Sequence, residues 1–302
     1  MSRLLFIDSL RVIGITFVII HHLQYNGGWT YFQWLYFGFA YPAFHIDLGS
    51  IGIWLFIFAS GASLALRNYS FDSMKNIGRF YGNRLLRIYP IFWVAVIFSL
   101  LVMPITSILT LSAYVRNFSG FAIFFITNDS WAQVNGSYWF IGLIISLYFL
   151  FPILYSAIKK HPHVSLLSLF LIYIAAKVIM WNYFSQFTGV TDWFPLCQIF
   201  EFGLGIYLVQ KGLYWKFTAP RLLAAAGELS FYIYLVHICF LHFMPPIQFE
   251  FGFGYALAWF IAVTLLFGCI FYAFDSLLQK SFRRVFKPKP ISTEALVMLK
   301  EE

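Results

Sequence analysis

Four residues able to do chemistry sit where a hydrophobic run should exclude them. The stretch FIDSLRVIGITFVIIHHLQ, Phe6 to Gln24, is apolar almost throughout, yet it carries Asp8, Arg11, His21 and His22. On a helix Arg11 and His22, eleven positions apart, are separated by three turns plus about 20°, so their side chains share a face. At about 1.5 Å per residue they stand about 16 Å apart along the axis. Asp8, one turn before Arg11, lies near the same face and can pair with it. His21 is turned away by about 100°. One stripe thus holds a carboxylate–guanidinium pair at one end and an imidazole at the other. Imidazole is the side chain suited to moving a proton at neutral pH. Hydrocarbon does not tolerate such a stripe, which has to line a bundle interior or a wet cavity. Each residue also has a structural reading: Arg11 can reach the interface while paired with Asp8, and His22 can sit at the membrane edge.

The helix that positions these residues belongs to an unusual chain. Of 302 residues 61% are hydrophobic, 22% aromatic and only 11% charged, with a mean hydropathy of +0.78. Soluble domains carry about a quarter charged residues. The expected fold is therefore all-α, a polytopic transmembrane helix bundle. Runs of about 18–22 apolar residues read as spans. They fall near Ile7–Gln24, Leu48–Leu66, Ile88–Pro104, Tyr138–Ile158, Val164–Asn182, Phe194–Gln210, Leu229–Phe243 and Gly252–Leu277. A ninth stretch, Ile105–Thr127, is interrupted by Arg116, Asn117, Ser119 and Gly120. It reads as a re-entrant hairpin, an interfacial helix or two short tilted spans, for up to ten crossings. The first run is as long as a spanning helix and carries internal charges, unlike a short signal core.

Charge placement orients the bundle. Arg67, Lys75, Arg79, Arg84 and Arg87 share one loop, and Lys159 with Lys160, then Lys211, Lys216 and Arg221, fall on the same side. Lys280, Arg283, Arg284, Lys287 and Lys289 complete it, whereas loops 25–47, 128–137, 183–193 and 244–251 hold no lysine or arginine. The positive-inside rule then makes both termini cytoplasmic. The net charge of +8 is a topology signal rather than a nucleic-acid footprint. The aromatic outer run YNGGWTYFQWLYFGFAYPAF, Tyr25–Phe44, serves either as an interfacial belt or as a stacking surface for sugars. Cys197, Cys239 and Cys269 lie far apart in apolar segments, as buried inert thiols rather than a disulfide or metal site. His45, His161, His163 and His242 have no metal-ligand spacing. No zinc motif, phosphate loop or nucleophile elbow is present, and no metal is expected.

The first span, with IDSLRVIGI leading to His22, resembles the signature of the membrane-bound acyltransferase type 3 family, and later stretches agree. WLFIFASGASLAL (Trp54–Leu66) resembles its second span, and FYGNRLLRIYPIFW (Phe80–Trp93) its arginine-x-x-arginine motif. SYWFIGLIISLYFLFPIL (Ser137–Leu154) is similar to its Trp-led span, and LSFYIYLVHICF (Leu229–Phe240) to its late Ser-Tyr-x-Ile-Tyr-Leu-x-His segment. The matches run in order across about residues 6–275, with a domain expected over 1–281 and a short cytoplasmic tail over 282–302. One departure stands out. Many members carry an acidic cluster after the Trp-led start, where this chain has Gly142-Leu143-Ile144-Ile145, which leaves the acceptor class open.

The resemblance implies a plasma- or inner-membrane enzyme that moves an acyl group, usually acetyl, from cytoplasmic acyl-coenzyme A. The acceptor is a hydroxyl of a surface glycan or lipid-linked saccharide on the outer side. It implies His22 as general base, supported by Arg11 and Asp8 on its stripe. Arg84 and Arg87, three apart at the cytoplasmic boundary, would grip the phosphates of coenzyme A through their guanidinium forks; basic residues are also routine there. Ser60, with Gly61 and Ala62, is small enough to let an acyl donor pass, or simply to pack helices closely. Tyr138 and Trp139 begin a span on the outer side, placed for acceptor contact or belt anchoring. Glu201 is an intramembrane carboxylate, a substrate contact or the partner of Lys177. His237 is expected to hydrogen-bond across the bundle, and Asp275 to pair with a basic residue. A saccharide or lipid transporter, or a non-catalytic subunit of a polysaccharide synthesis complex, are the competing readings.

Overall fold

In a computed structural model, residues 4–26, 39–41, 44–67, 69–103, 110–121, 134–184 and 190–285 are described. Parts of the aromatic run Tyr25–Phe44 and of the stretch Ile105–Thr127, and residues 286–302 of the tail, lie outside them. The chain begins with helix α1 (Leu5–Asn26), then a short antiparallel pair, β1 (Phe39–Tyr41) and β2 (Phe44–Ile46). Helices α2 (Leu48–Ala65), α3 (Met74–Val102), α4 (Leu111–Ser119), α5 (Trp139–Lys160) and α6 (Pro162–Phe184) follow. After α7 (Val190–Trp193) and a 3-10 turn at Pro195–Gln198 come α8 (Ile199–Gln210), α9 (Arg221–Leu241), α10 (Met244–Phe251) and α11 (Phe253–Val285). The fold is an all-helical bundle, and α1, α2, α3, α5, α6, α9 and α11 are long and apolar enough to cross a membrane. The protein is a multi-pass membrane protein.

Seven of the expected spans are such helices; the run Phe194–Gln210 is not. Pro195 lacks an N–H and biases the preceding residue away from helix, so this run divides into the 3-10 turn and the 12-residue α8. At about 1.5 Å per residue α8 is about 18 Å long, short of the roughly 30 Å of hydrocarbon. The interrupted stretch yields α4, capped by the Thr110 hydroxyl and closed by Gly120 in a left-handed conformation at φ 77°. Ala113 of α4 packs near Leu100, and deeper in the bundle Tyr89 and Trp93 of α3 donate to the carbonyls of Ser119 and Phe118. The helix thus packs along α3. Asn117 accepts from the Val134 N–H and ties the returning chain to it.

Long-range bonds show that neighbouring helices alternate in direction. At one end the Leu5 N–H donates to Phe217 O, Gln210 to Tyr155 O, and Gln279 to Leu86 O. At the other, His21 faces Asp47, and Tyr138 meets Ser99 and Leu235. Lys75, Arg79, Lys159, Lys160, Lys211 and Arg221 gather at the first end, called here the basic end, and the paired histidines at the other. Helices α2 and α5 are the most enclosed, while α6 and α11 are peripheral and present Leu171, Leu265 and Leu266 outward. Cys197 and Cys239 are buried, but Cys269 is exposed on α11, a correction to its expected burial.

Close approach of α2 to α8 depends on glycine. A Cβ added at Gly61 would run into the Phe202 carbonyl, and one at Gly205 into the Phe58 carbonyl. These are backbone atoms and cannot rotate away. Gly61→Ala and Gly205→Ala are therefore expected to lower the unfolding temperature in detergent, each by about 1–3 kcal/mol of overpacking. Gly82→Ala, whose new Cβ meets nothing within 4 Å, should not lower it.

Candidate active site

Helix α1 is wedged between α2 and α9, and its polar stripe is divided between them. At the basic end Asp8 is 1% exposed and lies against Gly227 of α9, where a Cβ would come within 2.8 Å of its side chain. Arg11 Nη1 is 3.6 Å from Asp8 Oδ1, and its Nη2 donates to Ser63 Oγ of α2 at 2.9 Å. Ser63 passes its own hydrogen to Ala59 O at 2.5 Å. The Arg11 guanidinium is thereby fixed across two helices.

At the other end His22 turns inward, not toward lipid. Its ring stands 5.2 Å from that of His237 on α9, tilted by 44°, and 5.3 Å from that of His21. His21 lies over Gly49, with its Nδ1 3.4 Å from Asp47 Oδ2. Asp47 also caps α2, accepting from the Ser50 N–H at 2.7 Å. A carboxylate and three imidazoles therefore stand in a row across α2, α1 and α9. His237 was expected only to bond across the bundle, and the structure sets its ring beside that of His22. Among the described residues no group of three or more His, Cys, Asp or Glu side chains is arranged to hold a metal ion.

Arg84 and Arg87 part company despite their spacing. Arg87 points to α9 and α11: Nη1 donates to Asp275 Oδ2 at 2.5 Å and Nη2 to Tyr232 at 3.1 Å. Tyr232 donates to the same carboxylate oxygen at 2.6 Å, and Gln279 to the other at 3.2 Å. Arg84 points to α5. It lines a narrow apolar crevice with Tyr81, Leu85, Ile88, Tyr148 and Phe149, and its Nε is buried without a partner. Ser60 reaches the same crevice indirectly, bonded to the Tyr148 hydroxyl at 2.8 Å.

The remaining expected contacts fare differently. Tyr138, expected at the acceptor, is 4% exposed, and its hydroxyl bonds Ala95 O and Leu235 O, each at 3.0 Å, and Ser99 Oγ at 2.8 Å. That hydroxyl binds α3 to α9 through the start of α5, and burial keeps it from an outer substrate. Trp139 is half-buried, edge-on to Phe140 at 6.2 Å. Glu201 and Lys177 form no ion pair. The 1%-exposed Lys177 lies over the rings of Tyr173 at 5.3 Å and Trp54 at 5.9 Å, and Glu201 Oε2 is buried without a partner.

The inward-facing imidazole of the first helix thus lies beside a second one on α9. The family model for an acyltransferase domain, that of the acyltransferase 3 family, matches residues 4–226, and the chain belongs to this family. No curated protein and no solved structure matches it. The match ends inside α9, ahead of His237, which only the packing joins to the rest. The protein is an acyltransferase of the membrane.

The Arg87 cluster generates a stability prediction. Arg87→Ala leaves Asp275, 1% exposed, buried without its cation. The expected loss is about 2–4 kcal/mol, below the full range for a sealed pair because Arg87 is 43% exposed. Arg84→Ala should leave the unfolding temperature in detergent close to that of the wild type.

Proposed function

We propose that the protein carries an acyl group, acetyl in the first place, from acyl-coenzyme A at the basic end to a saccharide hydroxyl at the histidine end. The acceptor class is a surface glycan or lipid-linked saccharide. The positive-inside rule makes the basic end cytoplasmic, with both termini there, in a cell membrane facing the coenzyme A pool. The observation that carries the reading is the placement of His22, held inside the bundle by α2 and α9 at the end opposite the basic loops. A proton-moving group would have no use on the lipid face.

In this reading His22 accepts the proton of the acceptor hydroxyl as its oxygen attacks the thioester carbonyl. The carbon–sulfur bond then breaks, an ester forms, and the departing thiolate takes up the proton as free coenzyme A. No oxidant or metal enters the balance. Arg84, whose Nε lacks a partner at the crevice, binds phosphate, while Arg87 fixes the wall beside it. Arg11, held by Asp8 and Ser63, supplies positive potential along the donor's path.

His22→Ala should lower acyl transfer about 10²–10⁴-fold, the usual worth of a general base, with an unchanged unfolding temperature. Labelled acetyl transfer to membrane saccharide checks it; a fully active variant removes the base. Arg84→Ala should weaken coenzyme A binding about tenfold or more, as one charge-assisted hydrogen bond is worth about 1.5–3 kcal/mol. Isothermal titration in detergent measures that, and an unchanged affinity leaves Arg84 as a boundary charge only.

A further inference from the structure

His237 is wholly buried at 0% exposure. Its Nδ1 lies 2.7 Å from the carbonyl oxygen of Tyr234, one turn back on α9. A carbonyl only accepts, so Nδ1 carries the hydrogen. In the neutral ring Nε2 is then a bare lone pair, and it is buried without a partner. Buried acceptors are nearly always answered, so one held open calls for a use. The ring neighbours of His237 are His22 at 5.2 Å and Tyr234 at 6.0 Å. Tyr234 has already spent its hydroxyl on the carbonyl of Ser137, which leaves His22. Two imidazoles joined in line by an N–H···N bond of about 2.9 Å have centroids about 5 Å apart. The observed separation therefore needs a ring rotation of His22 and no movement of the helices. His22 is the more exposed of the two, so substrate meets His22 and His237 stands behind it.

We propose that His237 is a positioning residue for His22: its Nε2 accepts the N–H of His22 and so holds the opposite His22 nitrogen, lone pair outward, toward the acceptor hydroxyl. When His22 takes the hydroxyl proton, its second N–H stays on Nε2 and the resulting cation is stabilised by that bond. No bond to carbon forms on His237, and the proton leaves with the coenzyme A thiolate. The arrangement follows the logic of a catalytic base oriented by a group behind it, with a neutral imidazole in the rear place. Packing fixes the pair. Gly49 lets His21 fold down onto α2, and the Tyr234–Ser137 bond anchors α9 at the level of His237.

The inference rests on His22 as the base, and two amide substitutions test it separately. In His237→Asn the shorter amide keeps a donor for Tyr234 O but withdraws the far acceptor; in His237→Gln the amide oxygen reaches the place of Nε2. Acyl transfer is measured for both and for His22→Ala, at saturating acyl-coenzyme A and over a range of acceptor, with unfolding temperatures alongside. His237→Asn should lower kcat about 10–100-fold with KM nearly unchanged, as when an orienting partner is lost, and His237→Gln should recover most of it. A purely structural His237 predicts the reverse order or equal rates, because the Tyr234 bond is what Asn preserves. Wild-type kcat in His237→Asn, or a Gln variant no faster than Asn, overturns the proposal while inactive His22→Ala leaves the base in place. Full activity in His22→Ala removes both.

Discussion

A polar group surrounded by hydrocarbon has no water to turn to, and each one in this bundle has to be answered by another helix or a ring. That demand shapes the protein more than any single packing contact. Asp8 and Arg11 pair with each other, Arg11 also draws α2 to α1 through Ser63, and Gly227 lets α9 close over Asp8. Arg87 is satisfied by joining α3 to α9 and α11 through Tyr232 and Asp275. The Tyr138 hydroxyl collects α3 and α9 at the start of α5. Lys177 is placed over the faces of Tyr173 and Trp54. Apolar side chains lose nothing when they turn from one neighbour to lipid; these groups do, so they set which helices touch.

The same constraint separates the two ends of the enzyme. Lysines and arginines collect at one end of the bundle, and His21, His22 and His237 collect where α1, α2 and α9 meet at the opposite end. Helices α1 and α9 carry residues of both, α1 with Arg11 and His22 about 16 Å apart along its axis and α9 with Arg221 and His237. The small residues Gly61 and Gly205 let α2 and α8 close tightly, and Ser60 joins α2 to Tyr148 of α5 beside Arg84.

Identical side chains serve opposite purposes here. Arg84 and Arg87 lie one turn apart, yet one has a buried nitrogen without a partner and the other is surrounded by bonds. Tyr138 and His237 are both buried polar residues at the histidine end. Tyr138 has every need of its hydroxyl met, whereas His237 retains an unused lone pair. Neither residue type nor position along a helix reveals which of these bonds are met.

Hydropathy and helical period are local properties, so the sequence by itself determined the helical class, seven of the spanning helices, the charge asymmetry and the inward stripe of Asp8, Arg11 and His22. It also placed Pro195 and the polar break before Gly120, although not the short helices α8 and α4 that these residues bound. The partners were beyond its reach. Arg87 and Asp275 are 188 positions apart, and His22 meets His237 across the whole middle of the chain. No periodicity links them, because their meeting depends on the order in which helices pack. Only the tertiary structure decided that Arg87 turns to Asp275, that Tyr138 is sealed, and that a second imidazole waits behind the first. A single helix can present a side chain, but several helices together choose what it faces.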